Sequence, residues 1–328
     1  MNWTLTPDQF AMAWERTDGD RIPYPLAVRL SARDSMERAA QLPTLHAWCE
    51  RTLDADLEAA LRLLARPTVR VEVFGEHRPA NRAAVPDGEQ LTDTAEFAIG
   101  ASGGPSTTTA YAGTASYSVA DAGSHGASGV RSNGGSGTGL DGAPGAGPDR
   151  ISDATANDSV KPVRVLGVAS GNVAVVAAQR PGPTPDRGGD IRLYVGSPKS
   201  LPARVISVLP ENPPGTTARL SSPLSRVRED SRDLVTVPVS GPSAPARIRR
   251  LLARPRDGIG QIVVSVRRAE ELMPFGVLCW IDVAEDGRYA VRTGADVHIA
   301  PVTAETFAAH LRPMLTAAEK TTARSERW

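Results

Sequence analysis

Leu63-Leu64-Ala65-Arg66-Pro67 decides the architecture predicted for this chain, because the same five residues return 188 positions later as Leu251-Leu252-Ala253-Arg254-Pro255. Each copy closes a run with helical apolar spacing, and a β-patterned segment follows it, Val69 to Phe74 or Gln261 to Val266. Proline cannot extend a helix and biases the preceding residue away from the α region, so both copies predict a helix end and a strand start. The later segments of the two halves also match in order, which indicates an internal duplication.

The duplication predicts the fold class. Each half is expected to run helix, strand, hairpin, strand, helix. Short turns between consecutive strands favour antiparallel pairing, and helices grouped outside a sheet define the α+β class. We therefore expect one domain over residues 1–328 with a central antiparallel sheet flanked by helices. It is built from two quasi-twofold-related halves, about 1–210 and 211–315, that share one continuous sheet or form two related sheets.

The individual elements follow from hydrophobic periodicity. The clearest helix start is at Thr6, an N-cap residue followed by Pro7 at the first helical position and Gln9 at the capping-box position. Leu5 and Phe10 have the spacing of a hydrophobic staple. The other predicted elements are strands at 3–5, 69–74, 163–168, 173–178, 191–195, 234–237, 261–266, 275–283, 288–292 and 296–299, one helix from 45 to 64, and helices at 200–209, 245–252 and 302–315.

A glycine-rich segment interrupts the first half. Between Gly100 and Pro148 lie 14 of the chain's 30 glycines, with a single arginine. Such a composition buries too little apolar surface to offset the entropy of ordering the chain. We predict a flexible Gly/Ser-rich insertion over residues 78–160, and a disordered tail over 316–328.

Composition narrows the function classes. Lys+Arg and Asp+Glu are both 37, and the arginines look scattered along the sequence, so no net field attracts nucleic acid or an anionic membrane. No basic and apolar leader or membrane-spanning run is visible, which predicts a cytoplasmic protein without membrane insertion. Cys49 and Cys279 lie far apart in apolar runs, so we expect two buried free thiols.

Motifs for cofactors and metals are weak. Gly137 to Gly142 matches the dinucleotide pattern G-x-G-x-x-G, but it lacks a preceding strand and a following helix. We expect no cofactor and no metal. No pair among the five histidines has the spacing of metal ligands on a helix. The histidines are His46, His77, His125, His298 and His310.

Two clusters leave alternatives open. Asp282, Glu285 and Asp286 surround a predicted Asp-Gly turn, and they are either solvated turn residues or, with His298 in a deep pocket, the acid–base groups of an α+β enzyme. The apolar run that begins at Leu272 is either core or a partner-binding surface, since methionine and aromatic residues suit adaptable interfaces.

Short motifs in a fixed order run through nearly the whole chain outside the insertion. No one of them is diagnostic, but their order and spacing together are specific. They are Leu5-Thr6-Pro7-Asp8-Gln9-Phe10 with Trp14-Glu15-Arg16, Ile22-Pro23-Tyr24-Pro25-Leu26, Arg164-Val165-Leu166-Gly167 to Val176, Val208-Leu209-Pro210 with Pro214-Gly215, Gly258-Ile259-Gly260-Gln261-Ile262, and Trp280-Ile281-Asp282 to Asp286-Gly287-Arg288-Tyr289.

In this order the motifs resemble the EspG family, the cytosolic ESX (type VII) secretion-associated chaperones of actinobacteria. The resemblance implies a symmetric α+β fold and a non-enzymatic role: binding the apolar helical tip of a PPE protein, usually in a PE–PPE dimer, and keeping it soluble before export. It also implies that the loop between the early strands, which corresponds here to the insertion after Phe74, approaches the partner together with the sheet surface and the C-terminal helical part. A structural adaptor without chaperone action is the alternative. The expected partner-binding residues are Glu76, His77, Arg78, Leu272, Met273 and Phe275.

Overall fold

The computed structural model describes residues 1–17, 21–79, 160–229, 241–269 and 271–325. The strands are β1 (Asn2–Leu5), β2 (Val69–His77), β3 (Lys161–Ser170), β4 (Val173–Thr184), β5 (Arg187–Gly196), β6 (Leu220–Pro223), β7 (Arg256–Arg268), β8 (Glu271–Val283), β9 (Gly287–Thr293) and β10 (Asp296–Pro301). The α-helices are α1 (Pro7–Thr17), α2 (Ser35–Thr52), α3 (Ala55–Ala65), α4 (Leu201–Ser207), α5 (Leu224–Arg228), α6 (Ala244–Leu252) and α7 (Ala304–Ser325).

The strands of the described residues form one antiparallel sheet in the order β1-β5-β4-β3-β2-β7-β8-β9-β10-β6. The predicted α+β fold with a central antiparallel sheet is confirmed, and it is one sheet rather than two. β2 and β7, which each follow a copy of the repeated pentapeptide, pair at the centre, with Val69 opposite Val266 and His77 opposite Gly258. This arrangement agrees with an internal duplication. The quasi-twofold relation of the halves stays a prediction.

Alternation along the strands sends apolar side chains to both faces. On the first face, α4 and α7 pack over β2, β3, β7 and β8, where Val71, Val165 and Ile262 are buried beneath them. On the second face, α1 and α3 cover β3, β4 and β5, with Leu166 and Val168 in that core. Also on the second face, α5 and α6 pack in a third core with residues of β7 to β10. The helices therefore flank the sheet on both sides.

The predicted start of α1 is confirmed in detail. The Thr6 N–H donates to Gln9 Oε1 at 2.9 Å and the Gln9 N–H donates to Thr6 Oγ1 at 3.2 Å, which is the reciprocal capping box. Leu5 and Phe10 are 1% and 0% exposed in one core, and the Phe10 ring stacks on Trp14 at 5.7 Å. The local signals of this segment therefore predict the start of the helix correctly.

The single helix predicted from Leu45 to Leu64 is wrong. The chain forms α2 and α3 there, and α2 begins already at Ser35. Asp54 interrupts the run in an extended conformation, and its carboxylate accepts from the Leu57 N–H at 2.8 Å as the N-cap of α3. The apolar spacing continues across this break because both helices pack against α1.

The predicted disordered tail is also wrong where the structure describes it. α7 continues to Ser325, and residues 326–328 lie outside the described part. Leu315 is the last large apolar residue of the helix, but Ala318 and Thr322 continue the same stripe at 0% and 5% exposure. Small residues therefore continue the buried face of α7 beyond Leu315.

Other predictions differ at their bounds. β8 begins at Glu271 rather than at residue 275, and β6 and α5 lie in a stretch where no strand or helix was predicted. The flexible insertion falls almost entirely on residues 80–159, and the strand at 234–237 falls on 230–240. Both ranges lie outside the described residues.

Candidate functional site

The second face of β2 and β7 lies between the two helical layers on that side of the sheet. We call this surface the central face; it comprises Arg70, Glu72 and Phe74 of β2 with Gln261 and Val263 of β7. Arg70 lies opposite Ser265, Glu72 opposite Val263, and Phe74 opposite Gln261. All five defining residues are half-buried, whereas the valines between them on β2 are fully buried on the first face. The central face is thus the partly exposed surface at the middle of the sheet.

Tyr24 adds an aromatic group to the central face. Its ring meets Phe74 edge-on, with centroids 5.2 Å apart and planes at 70°, and it remains 51% exposed. The Tyr24 carbonyl accepts a hydrogen bond of 2.6 Å from Arg70 Nη2, which fixes the Pro-Tyr-Pro segment against the sheet. Aromatic pairs of this kind are typical anchors of protein interfaces.

The charges of the central face are paired. Arg70 Nη2 lies 2.7 Å from Glu72 Oε1, and these side chains are only 16% and 20% exposed. Burial lowers the pKa of Arg70 and raises the pKa of Glu72, and each charge partly opposes the shift of the other. Since the two charges already compensate each other, a partner's apolar surface can cover them without leaving either one unpaired.

The six expected partner-binding residues do not form one patch. Glu76 lies opposite Ile259 on the second face, and Leu272 lies opposite Arg267 at the other end of the same face. His77 and Met273 belong to the first face, opposite Gly258 and Val266. Gly258 and Val266 are eight positions apart along β7, which corresponds to about 26 Å.

His77 and Arg78 lie together at the C-terminal end of β2. His77 borders a small pocket of about 130 Å³ with Val208 and Pro210, and burial lowers the pKa of its imidazole. The Arg78 N–H donates to the Asp257 carbonyl at 2.6 Å just beyond β2. That these six residues form a binding site stays a prediction. The central face, which lies between the two ends of the sheet where they are found, was not identified from the sequence.

The apolar run from Leu272 divides at Gly276. Met273 and Phe275 are 42% and 36% exposed, whereas Trp280 is 1% exposed and packs edge-on against Phe307. The core interpretation is therefore right for Trp280. Met273 and Phe275 are exposed apolar groups on the first half of β8, as a partner-binding surface requires.

The acidic hairpin is not the solvated turn that the sequence suggested. Asp282 is 1% exposed and forms a two-point ion pair with Arg288, Nε to Oδ1 at 2.7 Å and Nη2 to Oδ2 at 2.8 Å. Arg288 Nη2 also donates to the Pro210 carbonyl at 2.9 Å. Glu285 is exposed, so the solvated interpretation is right for that residue alone.

Asp286 is held by a second set of donors. Its Oδ1 accepts from the backbone and hydroxyl of Thr216 at 2.7 and 2.8 Å, and its Oδ2 accepts from Arg254 and Tyr289 at 2.5 and 2.8 Å. Burial alone would raise the pKa of this carboxyl, but the hydrogen bonds from Thr216, Tyr289 and Arg254 outweigh it and lower the pKa from 3.8 to about 2. Arg254 belongs to the second copy of the repeated pentapeptide. Its hydrogen bond to Asp286 therefore connects that copy to the hairpin.

These contacts predict a loss of stability in acid. Because the folded-state pKa of Asp286 is depressed, its stabilising effect is present above pH 3.8 and is lost as the pH falls toward 2. Urea unfolding of the wild type and Asp286→Asn between pH 5 and pH 2 checks this. The variant is expected to be less stable at pH 5 and to show a flatter decline below pH 4. Equal declines for the two proteins would contradict the assignment.

The glycines of one motif make room for these buried groups. A Cβ on Gly258 would lie 2.8 Å from Asp282 Oδ2, and one on Gly260 would lie 2.1 Å from the Trp280 ring. A Cβ on Gly215 would similarly meet the Tyr289 ring at 2.0 Å. Motifs that are far apart in sequence therefore pack into a single structural unit around the hairpin.

The geometry that the enzyme hypothesis requires is not found among the described residues. The oxygens of Asp282 and Asp286 are occupied by arginine, tyrosine and threonine donors. His298 lies opposite Arg292 of β9, four residues from Arg288, and its Nδ1 is 2.9 Å from Ser221 Oγ. It therefore does not meet the two carboxylates in a pocket.

The described residues also bear on the metal and thiol predictions. Cys49 and Cys279 are free and buried, as predicted, and burial raises the pKa of the Cys279 thiol to about 12. No group of three or more potential metal ligands occurs within the described part of the chain. Likewise, no helix described in the structure is long and apolar enough to cross a membrane.

The fold and its surface define a class: an α+β protein whose candidate site is an open sheet face flanked by helices. Within that class, the EspG family model matches residues 6–131 and 146–313. The chain therefore belongs to the EspG family. The match includes much of the segment expected to be an insertion and leaves out residues 132–145 inside it.

Comparison with solved structures supports the same fold. Fourteen chains match, and among them is the Mycobacterium tuberculosis type VII secretion system chaperone EspG5 in complex with a PE25-PPE41 dimer. Identity to that chain is 15%, with a TM-score of 0.50 and 96% of each chain covered. No curated protein sequence matches the chain.

Proposed function

We propose that this protein is a chaperone of a type VII (ESX) secretion system. It binds the apolar helical tip of a PPE-like substrate, alone or in a PE–PPE-like dimer, and keeps it soluble in the cytoplasm before export. The observation that carries this proposal is the EspG family match along residues 6–131 and 146–313. The similarity in fold to EspG5, whose structure contains a PE25-PPE41 dimer, supports the same class of partner.

The central face supplies the physical means of binding. A chaperone that prevents aggregation must cover an exposed apolar patch with a matching surface, and this requires no catalytic group. Tyr24 and Phe74 form an aromatic pair that is partly open to solvent, and Val263 continues the apolar surface onto β7. The Arg70–Glu72 pair lies beside them and is already neutralised. We propose that the helical tip packs on this face, without any reaction step.

Co-expression tests the proposal. The chain is produced with a PPE-like protein encoded beside it, and the soluble fraction of that protein and its co-purification are both measured. A Phe74→Asp, Val263→Asp double variant is expected to weaken co-purification at least about tenfold, because it places charge in the apolar contact. Met36→Asp is the matched control, since Met36 is an 82% exposed apolar residue on α2, the helix that packs against α1.

The outcomes separate the alternatives. A rise in substrate solubility that the double variant loses and Met36→Asp retains supports the chaperone and its central face. Co-purification without a gain in solubility supports a structural adaptor instead. Failure to bind any helical substrate of the neighbouring locus contradicts the proposed function. Loss of binding in both variants contradicts the central face as the contact.

A further inference from the structure

An apolar groove runs beside α7 on the first face of the sheet, opposite the central face. It has a volume of about 430 Å³, and Phe275 of β8 lines it together with Pro313 and Met314 of α7. Met314 packs so closely over Gly276 that a Cβ there would lie 2.8 Å from its methyl group. Ala309 and Ala317 complete the helical side, and their small side chains leave the groove open. We call this surface the α7 groove.

Cationic groups border the apolar surface of the α7 groove. Arg219 and Arg292 both line it, and neither side chain forms an ion pair or hydrogen bond with another described residue. His310 of α7 lines it as well, and burial, then repulsion from Arg219 and Arg292, lower the pKa of its imidazole. Both guanidinium groups thus carry a positive charge that no described acidic side chain pairs with. The lining contains no aspartate or glutamate.

We propose that the α7 groove is a docking site for an amphipathic helical segment of another protein, with large apolar side chains along one face and glutamate or aspartate beside them. The apolar anchors of such a helix lie at i, i+3 or i+4 and i+7, the spacing that fits a groove between a helix and a sheet. Its carboxylates pair with Arg219 and Arg292, whose planar guanidinium groups suit two-point contacts.

Charge complementarity selects this occupant. A purely apolar segment would bury both arginines without compensation, which is costly, and a basic segment would be repelled. The α7 groove and the central face are on opposite sides of the sheet, so one helical tip cannot fill both. The docking site therefore adds a second contact and does not depend on the proposed function.

A binding assay with defined probes tests the α7 groove. A short, fluorescein-labelled helical peptide with a leucine and phenylalanine stripe flanked by glutamates is titrated with the full chain, and a peptide with lysine at each glutamate position is the comparison. Arg219→Gln with Arg292→Gln is expected to weaken binding of the glutamate peptide at least about tenfold and to reduce its salt dependence. Arg247→Gln with Arg250→Gln is the control, because it removes equal charge from exposed positions of α6.

Each result supports or overturns the proposed docking site. Binding of the glutamate peptide that falls in the groove variant and persists in the α6 control supports the α7 groove, and Phe275→Ser is expected to weaken it as well. Thermal unfolding of every variant confirms that the fold is kept. The proposal is overturned if the glutamate peptide does not bind, if the lysine peptide binds equally, or if the groove variant binds as the wild type does. It is also overturned if the chain self-associates in sedimentation and the groove variant abolishes this, because the occupant is then a second copy.

Discussion

Replacing Arg288 with methionine is expected to lower the free energy of unfolding by about 3–5 kcal/mol, among the largest effects available to a single substitution in this chain. The cause is the carboxylate left behind. Asp282 is 1% exposed, and without Arg288 its charge has lost both of the short contacts that compensate its burial. The Pro210 carbonyl loses its donor in the same change.

Urea unfolding at pH 7 measures this effect, with Arg226→Met as the control. Arg226 pairs with Glu229 at 3.2 Å, but these side chains are 67% and 58% exposed, so removing that pair is expected to cost less than about 1 kcal/mol. The double variant Asp282→Asn, Arg288→Met is expected to lose less stability than the sum of its single changes, because no buried charge remains. Equal losses for Arg288→Met and Arg226→Met would contradict the structural role of the buried pair.

The parts of the fold that the sequence predicted are those that local physics decides. The capping box of Thr6 and Gln9 needs contacts only within one turn, and the alternation of Val69, Val71 and Val73 needs only the pleat of one strand. The repeated pentapeptide adds long-range information, because it marks β2 and β7 as equivalent strands. Their pairing at the centre of the sheet is the arrangement that such equivalence favours.

The parts that the sequence did not predict depend on distant partners. The burial of Asp282 requires the chain at Pro210 to return over the hairpin, and Arg288 to lie between them. An Asp-Gly turn alone indicates solvent exposure, so the interpretation of Asp282 as a solvated turn residue had a local physical reason. The break at Asp54 has a different cause. An aspartate three residues before Leu57 is a local N-cap signal, but the apolar spacing continues across it and favoured one uninterrupted helix.

The sequence indicates only part of the central face. The alternation of Arg70 and Glu72 with valines is typical of a strand with one polar face, but it does not show that this face stays open at the middle of a sheet. That follows from where the helices lie: α3 packs over β3, and α6 packs in the core with β8 and β9. The contact of Tyr24 with Phe74 joins residues 50 positions apart, which no local pattern encodes.

Substituting alanine for Gly260 is expected to destabilise the protein by about 3 kcal/mol, because it overpacks the centre of the sheet. The new methyl group would lie 2.1 Å from the Trp280 ring and 2.7 Å from the Phe74 carbonyl. Trp280 is 1% exposed and held against Phe307, so its ring has little room to move. The Phe74 carbonyl is backbone of β2, and displacing it would disturb the pairing of β2 with β7.

Gly294→Ala is the matched control, since nothing lies within 4 Å of a Cβ at that position, and its effect is expected to stay within about 0.5 kcal/mol. Unfolding by urea compares the stabilities of the two variants. A Gly260→Ala protein as stable as Gly294→Ala would show that Trp280 does not fill the space over the central strands. If Gly260→Ala folds with reduced stability, it is also expected to weaken substrate binding, because Phe74 and Gln261 of the central face flank the displaced backbone.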